Sequence, residues 1–79
     1  MNQKSIHQRD ALRLLEDGKP HRIKVWKMST GDILTYQDVL FVSAHRRGGT
    51  HKVKFPHSKE IREFRDVCMF EIDNLKIYL

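Results

Sequence analysis

The hydrophobic period of this chain changes once, at Gly18-Lys19-Pro20, and the change divides it into a helical opening and a β-rich remainder. Before it, Ala11, Leu12, Leu14 and Leu15 recur at helical spacing. Ser5 and Gln8 form a capping-box pair, in which the hydroxyl satisfies an orphan amide and the glutamine reaches back. Gly18 suits the left-handed position after a helix and Pro20 forbids continuation, so a helix is expected over 5–17. Glu16 and Asp17 lie against the negative end of the helix dipole, so this end is expected to fray.

After Pro20 the period is two. His21 to Met28 alternates as a strand, and Ser29-Thr30-Gly31-Asp32 has the chemistry of a turn. A return strand is expected from Ile33 to Arg46, interrupted by a bulge or bend at Gln37-Asp38. Gly48-Gly49 reads as a two-residue hairpin turn, with Thr50 to Phe55 as the partner strand, stopped by Pro56. Residues 57–66 fit either a short helical turn capped by Ser58 or an outer strand. Val67 to Ile72 and Leu75 to Leu79 form a last hairpin around Asp73-Asn74. The expected fold class is α+β, mainly β: one domain over 1–79, with an N-terminal helix followed by an antiparallel meander of about five strands. Five strands and a bend favour a curled, SH3-like half-barrel.

Seventy-nine residues allow one modest core. No apolar run approaches the ~20 residues that span a bilayer, and the N-terminus has no apolar signal region. A single cysteine, Cys68, cannot form an internal disulfide and fits a reducing compartment. These features lead us to expect a cytoplasmic protein with no membrane partner.

The formal charge of +5 is concentrated: from Val39 to Lys59 there is no Asp or Glu. With a two-residue turn at Gly48-Gly49, Arg47 faces Thr50, His45 faces Lys52, Ser43 faces Lys54 and Val42 faces Phe55. One face then carries Val42, Ala44, Val53 and Phe55; the other carries Ser43, His45, Arg47, Lys52 and Lys54 with no acid among them. Such a stripe suits a DNA or RNA backbone, with Arg46, Arg47, Lys52 and Lys54 neutralising phosphates beside His45. Arg22, Lys24 and Lys27 extend it if the first strand lies alongside. The bland alternative is a solvated face, since the same charge also serves solubility. Trp26 has two placements: in the core with Met28 and Ile33, as is more usual for a lone tryptophan, or outward beside Arg22 and Lys24 as a stacking platform for a base.

No catalytic motif is present. Gly48-Gly49 is followed by a strand and so offers no helix N-terminus to a phosphate. Ser43 and His45 share a face but have no carboxylate in that stretch to orient the imidazole. His45, His51 and His57 lack the close pair that zinc sites use, and read as solvated histidines. We therefore expect no enzyme, metal or cofactor. In the last hairpin Ile72 faces Leu75, Phe70 faces Ile77 and Cys68 faces Leu79, all apolar, which leaves Met69 and Glu71 on the other side. The strand Leu75, Lys76, Ile77, Tyr78 and Leu79 is then either inside the sheet or an edge open to a second copy or another protein, the alternative to nucleic-acid binding.

The stretches WKMSTGDILTY, RRGGTHKVKFP with HSKEIREFRDV, and FEIDNLKIYL, preceded by a short helix ending in GKP, resemble a group of small uncharacterised proteins of Bacteroides-type gut bacteria. That group is associated with phage and conjugative elements. The resemblance covers the chain from about Ala11 and implies a bacterial cytoplasmic setting, without implying an activity, a cofactor or a site residue.

Overall fold

The structure, a computed structural model, describes residues 4–79. It is mainly β, with one helix and seven strands in a continuous, mixed sheet. The elements are β1 (Ser5–His7), α1 (Gln8–Leu15), β2 (His21–Trp26), β3 (Ile33–His45), β4 (Thr50–Lys54), β5 (Ile61–Arg65), a 3₁₀ turn (Asp66–Cys68), β6 (Met69–Ile72) and β7 (Leu75–Tyr78). Their order across the sheet is β1-β7-β6-β2-β3-β4-β5.

The helix is shorter than its periodicity predicts. Ser5 to His7 are extended and pair in parallel with β7, with Ile6 opposite Ile77. The expected Ser5/Gln8 capping box is replaced by His7, whose Nδ1 accepts the amide proton of Arg9 at 3.0 Å. The helical stripe extends no further back than α1, and Ile6 instead packs among the partly buried residues against the core. Gly18 takes the left-handed conformation expected of it, at φ 87°.

The bend at Gln37-Asp38 is present and does structural work. Asp38 has φ 53°, and the β2–β3 register slips there, from Ile23 opposite Tyr36 to His21 opposite Val39. The first half of β3 pairs with β2 and the second half with β4, so one long strand serves both halves of the sheet. The ambiguous 57–66 stretch resolves as the strand β5, paired antiparallel with β4. The 3₁₀ turn then carries the chain to β6, beside β2.

The core comprises Ala11 and Leu15 from α1, Ile23 and Val25 from β2, and Val39, Val53, Phe64, Met69 and Ile72. The last hairpin departs from simple alternation. Ile72 pairs with Leu75 as expected, but a bulge at Phe70 lies between the Lys24–Glu71 and Val25–Met69 pairs. Met69 therefore enters the core, while Phe70 is half-buried and lines a recess beside Trp26. Cys68 is buried as a small hydrophobe, whereas Leu79 is exposed. β7 is not an open edge, because β1 and β6 flank it. The free edges of the sheet are β1 and β5.

Candidate nucleic-acid interface

The basic hairpin is built on a different turn from the expected one. His45, not Arg47, pairs with Thr50, so residues 46–49 form a four-residue connection closed by the amide of Gly49 on the carbonyl of Arg46 at 3.3 Å. Gly49 takes φ 65° there. Gly48 lies so close to His45 that a Cβ would stand 2.5 Å from the ring Nδ1. Arg46 and Arg47 are thus in the loop and not in the ladder.

The register moves by two residues near the turn, so the parity of the faces survives. Ser43 pairs with Lys52 and Ala44 with His51. A second irregularity at Val42 then brings Phe41 opposite Val53 and Leu40 opposite Lys54. Phe41 replaces Val42 on the inner face, and Val42 is exposed. The outer face carries Leu40, Ser43 and His45 from β3, Thr50, Lys52 and Lys54 from β4, and Ile61, Glu63 and Arg65 from β5. Glu63, opposite Lys52, is the acid that the hairpin alone did not reveal; it accepts from the hydroxyl of Thr50 at 3.4 Å.

The eight expected site cations and imidazoles divide by partner. Arg46 reaches Glu16 at 3.1 Å, Lys24 reaches Glu71 at 3.6 Å, and Arg22 donates to the Asn74 side chain at 2.8 Å. Among the described residues, Arg47, Lys52, Lys54 and Lys27 pair with no carboxylate, and neither does Arg65 on the neighbouring strand. His45 and His57 are exposed, as solvated histidines should be. The structure brings His45, Lys52 and Lys54 onto one face and sets Arg46 and Arg47 at its end; Arg22, Lys24 and Lys27 belong to the β2 half of the sheet.

His51 is a correction to that reading of the histidines. It is only 1% exposed, and its two ring nitrogens meet Glu16 at 2.6 Å and Asp66 at 2.5 Å. His21 repeats the arrangement, with Nε2 at 2.8 Å from Asp17 and Nδ1 at 2.5 Å from Asp73. An imidazolium donates through both nitrogens, and a neutral ring through one only, so the two carboxylates around His21 favour its charged form. Burial, the largest influence on His21, lowers its pKa, but the hydrogen bonds and charges of Asp17 and Asp73 outweigh it and raise the value. For Glu16, burial pushes upward, and the hydrogen bonds from His51 and Arg46 win and lower it. Asp17 is lowered first by the Lys19 amide and then by His21.

These two clusters pin the end of α1 to both halves of the sheet and so position the base of the hairpin. The one sequence signal for them is the pair of acids at the unfavourable end of the helix. His21 on Asp17 and Arg46 on Glu16 bring positive charge to that end and ease the conflict with the dipole. Two of the carboxylate partners, Asp66 and Asp73, come from turns that carry no such mark.

Trp26 points outward and is 56% exposed, because Ile23 and Val25 take the inward positions of β2. It pairs across the sheet with Ile33, and a shallow recess is lined by Trp26, Gly31, Ile33, Val67, Cys68 and Phe70. A larger cleft adjoins this recess, with Trp26 and Cys68 lining both, and is lined further by Leu34, Tyr36, Phe55 and Phe64 among others. Its rim carries both signs, with Glu60 paired to Arg62 at 2.5 Å, and burial raises the pKa of Tyr36 inside it.

No cluster of metal-ligating side chains occurs among the described residues, and no helix there is long and apolar enough to cross a membrane. No family model, curated protein or solved structure matches the chain.

Proposed function

We propose that this protein is a small nucleic-acid-binding module that holds a phosphate backbone on the outer face of β3 and β4, independently of sequence. The observation that carries this reading is the set Arg47, Lys52 and Lys54, which lie on or beside one solvent-facing surface without a carboxylate partner among the described residues. Arg65 adds to it from β5, and His45 lies within the same face. Arg46, Arg22 and Lys24 have intramolecular partners and contribute less than their charge implies. Glu63 offsets part of the field beside Lys52 and makes the interaction weaker.

Lysine and arginine contacts to phosphate release condensed counterions, so binding falls as salt rises. Three or four such contacts give a slope of log K against log salt of about −2 to −3 on a single strand, and dissociation constants on the order of 10⁻⁴ to 10⁻⁶ M. The test is fluorescence anisotropy with labelled oligonucleotides at low and moderate salt, on the native chain and on Arg47→Glu/Lys52→Glu/Lys54→Glu. The native chain should bind with that slope and the triple variant should not bind. Equal binding by both would place the contact elsewhere, and no binding at low salt would end the reading.

A further inference from the structure

Resting on that reading, we infer that the ligand is single-stranded and that one of its bases stacks on Trp26, in the recess formed with Ile33, Val67 and Phe70. Trp26, Met28, Ile33 and Val67 are all more than half exposed, at 56%, 64%, 64% and 67%. Four large apolar side chains around one hairpin end are more than the scattered exposure normal on a small domain, and contiguous apolar surface of this kind marks a binding site. The recess presents almost only carbon to solvent, so it offers nothing to a phosphate and a flat apolar surface to a base.

The choice of occupant follows from charge. Lys27 lines the adjoining cleft with Trp26 and has no carboxylate partner among the described residues, and the acids nearby are engaged: Glu71 by Lys24, Asp66 by His51, Asp32 by the Thr30 hydroxyl at 2.9 Å, Glu60 by Arg62 and Glu63 by the Thr50 hydroxyl. A second copy of a chain with formal charge +5 would bring like charge to this border. A nucleotide brings a planar apolar ring and a negative group together, which matches both features. A duplex keeps its base faces stacked inside, so only a single strand can place one on the indole.

Trp26 and the hairpin cations lie on the outward side of the same sheet. Ile33, opposite Trp26, and Leu40, opposite Lys54, are both outward residues of β3. Seven residues at about 3.3 Å each separate them by at most about 23 Å, before the bend shortens the path. One single strand of nucleic acid can cross both, a span of the same order as the roughly 4–16 nucleotides that one OB-fold covers.

Trp26 is the single tryptophan, so its emission reports directly on the recess. The experiment titrates the native chain with decauridylate, with a DNA duplex and with inorganic polyphosphate, reading both emission and binding. Single-stranded RNA should quench Trp26, while the other two bind without quenching. Labelled decauridylate is then measured by anisotropy against Trp26→Leu and Trp26→Phe, both checked for folding by circular dichroism. We expect Trp26→Leu to weaken binding at least about fivefold with an unchanged salt slope, as loss of one stacked base implies, and Trp26→Phe to restore most of it. If Trp26→Leu binds like the native chain while Arg47→Glu/Lys52→Glu/Lys54→Glu does not, the phosphate face stands and stacking is refuted. If no ligand binds at low salt, both readings fail together. If sedimentation shows a self-association that Trp26→Leu abolishes, the recess is covered by a second copy and the inference is overturned.

Discussion

The carboxylate of Glu16 meets the Nε2 of His51 at 2.6 Å, across thirty-five residues of sequence. With Asp66 on the other nitrogen, this contact ties the end of α1, the start of β4 and the 3₁₀ turn to one buried ring. A contact held this deep is costly to break, because losing the ring leaves the Asp66 carboxylate without its partner, although Glu16 keeps Arg46.

We predict that His51→Ala destabilises the protein by about 3–5 kcal/mol. A chain of this length has roughly 4–12 kcal/mol in all, so the variant should be largely unfolded or close to it at physiological temperature. Glu16→Gln should cost less, about 1–2 kcal/mol, because Glu16 is partly exposed and the amide can still accept a hydrogen bond. Urea midpoints by circular dichroism decide this. A His51→Ala midpoint equal to that of the native protein would mean the cluster contributes nothing net.

Stability should fall on both sides of a maximum in pH. His21 has a raised pKa in the folded state, so its contribution is complete below about pH 6.5 and is lost as pH rises through the folded value. Glu16 and Asp17 have lowered values, so their contribution is present above the ordinary carboxylate range and is lost as pH falls through the folded values. Denaturation midpoints between pH 3 and pH 9 should therefore peak in mildly acidic solution. His21→Gln should flatten the alkaline limb; an alkaline limb of unchanged slope in that variant would assign it to another group.

Neighbouring arginines should behave differently. Arg46 is engaged by Glu16, whereas Arg47 has no carboxylate partner among the described residues. On the phosphate-binding reading, Arg47→Gln should reduce the salt slope of oligonucleotide binding by about 0.7–0.9, the loss of one phosphate contact. Arg46→Gln should leave the slope alone and cost at most about 1 kcal/mol of stability, the usual range for an exposed pair. Equal effects on the slope would show that Arg46 leaves Glu16 for the ligand.

The strand β1 covers β7, and it has only three residues to do so. A chain beginning at His7 keeps the helix cap but loses Ser5 and Ile6, which pair with Lys76 and Ile77. Its uncovered strand Leu75–Tyr78 should then pair with another chain. Sedimentation at matched concentrations should give a larger mass for the shortened chain than for the intact one. Identical masses would show that β7 does not recruit a partner when uncovered.

Much of the local plan was legible from residue order. The period change at Pro20, the turn at Asp73-Asn74, the bend at Gln37-Asp38 and the inward-outward sorting of Lys52 and Lys54 each follow from chemistry within a few residues. The turns adopt the conformations their residues favour, with Asp73 at φ 48° and Asn74 at φ 67°. What tertiary structure decided lies between segments far apart. Ser5 to His7 became a strand because β7, some seventy residues away, had an edge to fill. The bulges at Val42 and Phe70 exchanged Val42 for Phe41 and Phe70 for Met69 in the interior, because one unpaired residue reverses the side on which its neighbours lie. The histidines show the same division. Alternation alone sets His51 on the inner face, but only the meeting of α1, β4 and the 3₁₀ turn supplies the two carboxylates that its ring nitrogens meet there.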